Sequence, residues 1–317
     1  MTIVVIGSDG QLGSELTRHF GSGPAGGVIA LTHRDIEISD IRSVEGALKK
    51  TLRASQGEPF VVVNTAAYNL VDDCEHSVEK AFAVNAKGPE NLSKATAALG
   101  AVLVHFTTDY VFDGTKGKPY AEGDRPNPIS VYGASKLAGE EAVRSANSRH
   151  YLLRTSGLYG HAPSRGRGEN FVELMLRLAV ERSVPLRGGG PQWIEAVADQ
   201  HLAPTYTRSI VRQLEKILGG ESGRTVGGAP FGLYHVVNGG GCSWFEFAQA
   251  IFSKTHMKVD LRPIPAAKLS RSARRPAYCV LENAALRRLG IDVMEPWQEA
   301  LQRYLFARNQ LSAMSFG

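Results

Sequence analysis

The chain has 317 residues and a net charge of +5, with 43% hydrophobic and 21% charged residues. That length can bury a large core, expected in two lobes, and the composition is that of an ordinary soluble protein. No apolar run approaches the roughly 20 residues of a membrane span, and no basic cluster is interleaved with aromatics, so membrane and nucleic acid are set aside as partners.

Cys74, Cys242 and Cys279 are scattered along the chain. They form neither a disulfide framework nor a metal-ligand cluster, so no metal is expected. The chain opens on a strand-like run rather than a leader, and a reducing cytoplasm is the expected compartment. The modest positive charge suits steering of anionic small molecules into a cleft.

In chain order, Thr2-Ile3-Val4-Val5-Ile6 is an apolar, β-branched run, as for a strand buried on both faces. Gly7-Ser8-Asp9-Gly10-Gln11-Leu12-Gly13 follows, and Ser14 to Phe20 reads as a helix. Glycines spaced three apart between strand and helix fit a dinucleotide-binding turn. They allow a tight turn and close approach of a pyrophosphate to free helix N–H groups. The spacing is G-x-x-G-x-x-G, not G-x-G-x-x-G.

Val28–Leu31 reads as the second strand, 41–53 as a helix and Phe60–Asn64 as the third strand. Residues 75–99 carry helical spacing interrupted at Gly88-Pro89. Ala101–Phe106 reads as the fourth strand, Tyr132–Ser145 as a helix and Tyr151–Arg154 as the fifth strand. This alternation predicts an α/β fold with a parallel sheet covered on both faces. Beyond Thr155 the texture changes. His161–Gly168 and Arg187–Pro191 read as loops, 170–182 and 201–218 as helices, Gly219–Pro230 as a flexible connection, Tyr234–Asn238 as a strand and 243–258 as a helix.

Three patterns carry chemistry. Tyr132-Gly-Ala-Ser-Lys136 sets a phenol and an ammonium four residues apart, on one face of a helix. A cation beside a phenol favours the phenolate, making the Tyr a better proton donor near neutrality to an alkoxide formed from a ketone. Phe106-Thr107-Thr108-Asp109-Tyr110 places two hydroxyls at the carboxyl edge of the fourth strand, where open parallel sheets bind ligands. The second strand ends Leu31-Thr32-His33-Arg34. A guanidinium there favours NADPH, because it pairs well with a 2′-phosphate. Asp35 beside it offers a partner for a ribose diol, which keeps NADH open.

These residues together resemble the extended branch of the short-chain dehydrogenase/reductase superfamily, and more closely the dTDP-4-dehydrorhamnose reductase family. The resemblance runs through Asn64-Thr65-Ala66-Ala67-Tyr68, Val71-Asp72, Thr108-Asp109-Tyr110-Val111-Phe112-Asp113-Gly114, Val131-Tyr132-Gly133 and Leu137-Ala138-Gly139-Glu140. It continues through Arg154-Thr155-Ser156, Asn170-Phe171, Asp199-Gln200, Ala203-Pro204-Thr205 and Arg274-Arg275-Pro276. It implies a Rossmann-type, doubly wound parallel sheet with a smaller discontinuous α/β substrate-binding lobe. The Rossmann part is expected from 1–160, also recruiting parts of 195–238. The second lobe is expected within 161–317, mainly 161–194 and 239–295.

The implied reaction is NADPH-dependent reduction of the C4 ketone of a nucleotide-linked 6-deoxy-4-keto sugar, dTDP-4-dehydrorhamnose or a relative. Thr108, Tyr132 and Lys136 are the implied catalytic residues. The cofactor set is Gly7, Asp9, Gly10, Gln11, Leu12, Gly13, Arg34, Asp40, Ile41, Ala66, Ala67, Tyr68, Thr107 and Lys136. Asp40 has an alternative role as the cap of the following helix. The substrate set is Thr108, Asp109, Tyr110, Asn170, Trp193, Thr205, Arg274 and Arg275. A homodimer is among the expectations.

Three departures flank the expected sugar pocket. The family's usual Arg-Thr-Ser-Trp is here Arg154-Thr155-Ser156-Gly157. The loop before Asn170 is longer and carries Arg165 and Arg167, and Gly188–Trp193 reads as an insertion whose Trp193 is a candidate to replace the missing ring. Two other readings stay open: a nucleotide-sugar epimerase or dehydratase of the same superfamily, and a non-catalytic binding protein resembling the regulatory subunit of methionine adenosyltransferase. Thr108 followed by Asp109-Tyr110, rather than Asp-Glu, argues against elimination, and retention of Thr108, Tyr132 and Lys136 together argues against the non-catalytic reading.

Overall fold

The computed structural model describes residues 2–22, 27–54, 60–163, 168–183, 192–219 and 228–314. The strands are β1 (Thr2–Ile6), β2 (Val28–Leu31), β3 (Phe60–Asn64), β4 (Val102–Thr108), β5 (His150–Thr155), β6 (Leu158–Tyr159), β7 (Trp193–Val197), β8 (His201–Leu202), β9 (Thr205–Tyr206), β10 (Gly232–His235), β11 (Cys242–Ser243) and β12 (Asp260–Ile264). The helices are α1 (Gln11–Gly21), α2 (Ile41–Ala54), α3 (Val71–His76), α4 (Val78–Phe82), α5 (Gly88–Ala98), α6 (Val131–Ala146), α7 (Phe171–Ser183), α8 (Thr207–Leu218), α9 (Trp244–Thr255), α10 (Ala284–Arg288) and α11 (Trp297–Met314).

Six strands form one sheet in the order β10-β5-β4-β3-β1-β2, with every neighbour parallel. The apolar runs explain why these strands are central: every residue of β3, β4 and β5 is buried. Alternate side chains serve opposite faces. Ile3 and Val5 join α1 and α8 residues such as Leu16 and Leu214 in one core. Val4 and Ile6 join Val44 and Leu48 of α2, and Leu92 of α5, in the other. The chain steps from β1 to β2 on one side, then returns to β3 on the other side of β1. That reversal opens a crevice at the carboxyl edge of the sheet.

A further core gathers Val172 and Met175 of α7, Ile194 and Ala196 of β7, Phe247 and Ile251 of α9, and Leu301 and Tyr304 of α11. β7 pairs in parallel with β12 over Trp193–Val197 and Asp260–Ile264. We propose dividing the chain along these cores. The first lobe is the large sheet with its covering helices, α8 and β10 included; the second is built from α7, β7, α9, β12 and α11. The second lobe then reaches past the expected main part, which ended at 295, into α11, within the 161–317 expected for it.

Three expectations need correction. Residues 201–218 are not one helix: β8 and β9 precede α8, separated by Ala203-Pro204, and the 3.6-residue spacing holds only from Thr207. The 75–99 helix does not break at Gly88-Pro89. It is interrupted at Ser77 and passes through a π-helical turn, Ala83–Lys87, into α5, whose first turn accommodates a proline because its N–H would be unpaired anyway. The fourth strand continues through Thr107 and Thr108. The expected loop Arg187–Pro191, the arginines 165 and 167, and most of the 219–230 connection lie outside the described residues. No helix among the described residues is long and apolar enough to cross a membrane.

Candidate active site

The glycine turn sits at the β1/β3 reversal. Gly7 has φ +76°, and a Cβ on it would meet the Ala66 nitrogen and Thr65 Oγ1 at 2.9 Å. A Cβ on Gly13 would lie 2.0 Å from the Gly7 carbonyl oxygen, so α1 can start this close to β1 only with glycine at that position. Gly10 caps α1 without a side-chain hydrogen bond. The start of α1 offers the N–H groups of Gln11, Leu12 and Gly13, a geometry that fits a pyrophosphate. Ala66, Ala67 and Tyr68 form the adjacent loop, and the Ala66 N–H donates to Asn64 Oδ1 at 3.1 Å.

At the end of β2, Arg34 is exposed and its guanidinium enters no salt bridge among the described residues. Asp35 is turned back on its own chain. One carboxylate oxygen accepts from both the N–H and hydroxyl of Thr32 at 2.8 Å, and these bonds hold its pKa below the ordinary range. Asp40 Oδ1 accepts from the Arg42 N–H at 2.9 Å, which is the helix-capping geometry for α2. Ile41 is 36% exposed beside it.

Helix α6 is clamped to β4 and to the π turn at three points. Ser130 caps it by accepting from the Gly133 N–H at 3.2 Å. A Cβ on Gly133 would lie 2.2 Å from the Tyr110 carbonyl oxygen, and one on Gly139 would lie 2.2 Å from the Asn85 carbonyl oxygen. Lys136 is buried and donates to the Phe106 carbonyl at 2.8 Å. Burial pushes its pKa down to about 8, opposed by the nearby Glu140 carboxylate. Tyr132 lies one turn earlier, its ring edge-on to Tyr110 at 5.8 Å. The clamp brings the first turn of α6 against the residues that follow Thr108.

Thr108 Oγ1 donates to Asp109 Oδ1 at 2.8 Å and accepts from the Tyr110 N–H at 3.2 Å. Asp109 Oδ2 accepts from the Ser156 hydroxyl at 2.7 Å. Asp109 is 4% exposed, with both carboxylate oxygens engaged by Thr108 and Ser156. Burial pushes its pKa up, opposed by hydrogen bonds from Cys279, Ser156 and Thr108.

Several other sequence candidates are corrected by their partners. The buried Thr107 hydroxyl donates to Glu140 at 2.9 Å, on the opposite side of the strand from Thr108. Asn170 caps α7, accepting from the Val172 and Glu173 N–H groups while its amide donates to the Gly160 carbonyl at 2.8 Å. Thr205 is fully buried and donates to the Ala203 carbonyl at 2.9 Å. Both side chains are buried and held by these local bonds. Arg275 is bound to Asp72 at 3.0 and 2.7 Å, tying the 271–277 segment to α3 rather than waiting for a diphosphate. Arg274 is exposed, without a salt bridge among the described residues. Trp193 lies on β7, its ring covered by the Arg262 guanidinium at 4.2 Å. Gly157 has φ +52°, and a Cβ there would meet Leu202 Cδ1 at 2.5 Å. Leu202 therefore fills the space where a larger side chain would begin.

Two features escaped the sequence reading. Asn85, in the π turn, accepts from the Tyr68 N–H, donates to the Tyr68 carbonyl and donates to Ser135 on α6. It joins the Ala66–Tyr68 loop to α6, and π turns occur often at functional sites. Glu140 receives a bidentate Arg154 at 2.9 and 2.7 Å, both side chains fully or almost fully buried. That pairing joins α6 to β5, and no local spacing announces it.

The model of the RmlD substrate binding domain family matches residues 1–309. The chain belongs to this family. Among curated relatives, it is 37% identical to the spore coat polysaccharide biosynthesis protein SpsK of Bacillus subtilis (97% of this chain, 98% of that one). It is 36% identical to a dTDP-4-dehydrorhamnose reductase of Streptomyces griseus (94% and 91%). The solved dTDP-4-dehydrorhamnose reductase of Bacillus anthracis, in complex with NADP, aligns at 33% identity with a TM-score of 0.83 (96% and 99%). Structures of nucleotide-sugar dehydratases and epimerases align at 17% to 20% identity and share the fold alone.

Proposed function

We propose that this RmlD-family chain is an NADPH-dependent reductase that converts the C4 ketone of dTDP-4-dehydrorhamnose, or a closely related nucleotide-linked 4-keto-6-deoxy sugar, into an alcohol. The observation that carries this reading is Tyr132 one turn from the buried Lys136, clamped against the Thr108 turn at the carboxyl edge of the sheet.

When bound, NADPH supplies the hydride. The Gly7–Gly13 turn and the open N-terminus of α1 hold its pyrophosphate. Arg34 pairs with the 2′-phosphate, Asp40 and Ile41 border the adenine, and Ala66-Ala67-Tyr68 covers the dinucleotide. Lys136 has three donors, one of them given to Phe106. The other two are available to ribose hydroxyls, and its charge favours loss of the Tyr132 proton. Tyr132 gives that proton to the oxygen that was the sugar carbonyl. Thr108 fixes the same oxygen, Tyr110 borders the sugar, and Arg274 reaches the diphosphate. The proton balance closes with one hydride and one proton added across the C=O bond.

Gly157 with Leu202 shapes a sugar pocket different from that of relatives carrying a tryptophan there, which favours a related sugar as the second reading. The reaction is placed in the cytoplasm, and the expected homodimer is checked by light scattering against the 34.2 kDa chain. The direct test is oxidation of NADPH or NADH with enzymatically made dTDP-4-dehydrorhamnose, with the product identified by mass and NMR. Faster oxidation of NADPH with formation of a dTDP-6-deoxyhexose is expected. NADPH binding without oxidation by any 4-keto-6-deoxy sugar nucleotide would sink the proposal.

A further inference from the structure

We propose that Glu75 of α3 is a positioning residue for the proton transfer: its carboxylate holds the first turn of α6, and with it Tyr132, in place. The inference rests on the reductase reading and goes beyond it in naming what fixes the proton donor.

Tyr132 and Lys136 are held in different ways. Lys136 lies in the second turn of α6, buried, with its ammonium on the Phe106 carbonyl at 2.8 Å. Tyr132 is the second residue of the helix and is only partly buried. Helix ends fray, and the first four N–H groups have no partner inside the helix. The geometry at Tyr132 therefore depends on what meets that first turn from outside.

Two of those N–H groups have partners. The Gly133 N–H donates to Ser130, the helix's own cap, at 3.2 Å. The Val131 N–H donates to Glu75 Oε1 at 2.9 Å, from 56 residues away in sequence. A carboxylate at this position makes a charge-assisted hydrogen bond and meets the positive end of the helix dipole. On the other side of Tyr132, its own carbonyl accepts from Ser135 Oγ at 2.8 Å. Ser135 Oγ accepts from Asn85 Nδ2 at 3.1 Å, and Asn85 is bonded to the N–H and carbonyl of Tyr68. The backbone on both sides of Tyr132 is thus gripped from the stretch between Tyr68 and Asn85.

Helix α3 delivers Glu75 from a fixed frame. Asp72, one turn earlier, accepts from the Ala273 N–H at 3.0 Å and from Arg275 at 2.7 Å, and Cys74 is fully buried. Rolling α3 away from α6 breaks those contacts. Glu75 exchanges no proton in the reaction; its partner is a backbone N–H, and Tyr132 remains the donor to the sugar oxygen.

The test compares Glu75→Ala, Glu75→Gln and Val131→Pro. Glutamine keeps the accepting oxygen. Proline has no N–H to donate, suits the first position of a helix and needs an extended residue before it, as Ser130 is with φ −136° and ψ 156°. Glu75→Ala and Val131→Pro should each lower kcat about 10–100-fold through misplacement of the donor, with NADPH affinity unchanged. Glu75→Gln should recover most of that loss. In a Tyr132→Phe background, Glu75→Ala should cost nothing further, because both changes act on one step. In substrate-free protein, exchange of the amide hydrogens of residues 131–133 should quicken in Glu75→Ala while that of residues 137–140 does not. If Glu75→Ala does not fold, Val131→Pro carries both the kinetic and the exchange arms. Undiminished kcat in Val131→Pro or Glu75→Ala, a full additional loss in the Tyr132→Phe background, or unchanged exchange would overturn the assignment. A parent enzyme that reduces no 4-keto sugar, with the exchange quickened as expected, would overturn the reductase reading instead.

Discussion

Lys136 holds its charge where almost no water reaches it, and its pKa is pushed down to about 8. The group is charged below that value and neutral above it. The kcat/KM of the free enzyme should therefore fall as pH rises through about 8, a limb visible in the pH–rate profile. An unchanged rate well above that pH would show that the charge is dispensable. Glu140 binds Arg154 and Thr107 directly and lies 4.0 Å from Arg144. Glu140→Gln should cost about 3–5 kcal/mol in urea unfolding, because it leaves a buried guanidinium uncompensated. At this scale the sequence was informative where the chemistry has its own spacing, as with Tyr132 and Lys136. It did not reveal the partners of Thr107, Asn170 and Thr205. Their residue types suit a ligand, but their partners Glu140, Gly160 and Ala203 are fixed by the fold rather than by any local motif.

Helix α6 works only if it approaches two other backbones closely. Gly133→Ala would drive a methyl into the Tyr110 carbonyl at 2.2 Å, so the helix must retreat from the turn that carries Thr108. A loss of about 1–3 kcal/mol is expected from overpacking, with kcat falling more than KM rises. Gly46→Ala in α2 is the control: nothing lies within 4 Å of the added Cβ, and alanine should stabilise the helix by about 0.5–1 kcal/mol without changing kcat. Equal effects from the two substitutions in paired denaturation and kinetic measurements would remove the clamp from the account. Phe60–Asn64 was legible because burial on both faces writes a continuous apolar run, while the edge strand Val28–Leu31, only partly buried, was legible from its short apolar run; both stand at their expected bounds. The short β8 and β9 before α8 were not, since two-residue strands carry no periodicity.

Across the molecule, segments far apart in sequence are tied together by side-chain contacts. The 271–277 segment is tied to α3 by Asp72, which accepts from the Ala273 N–H at 3.0 Å and from Arg275. Those bonds lower the Asp72 pKa to about 2. A lowered carboxylate pKa adds stability above the unfolded value of about 3.9 and loses it as pH falls toward the folded one. The urea midpoint of Asp72→Asn should thus differ from the parent near neutrality and converge with it near pH 2, by a modest amount because the pair is partly solvated. A constant difference across that range would assign the effect to something other than the charge. The family and sheet were readable from ordered motifs along the whole chain. The way the distant 271–277 segment closes onto α3 depends on contacts about two hundred residues apart in sequence, which no window of the chain contains.

The measurement that tests the central claim most directly is turnover of Tyr132→Phe with NADPH and a dTDP-4-keto-6-deoxy sugar, alongside NADPH binding and thermal unfolding of the same variant. The account predicts a folded protein that still binds NADPH and is still stabilised by it through mass action, with kcat reduced by about 10²–10⁴-fold for loss of the proton donor. Turnover that survives undiminished in Tyr132→Phe would contradict it.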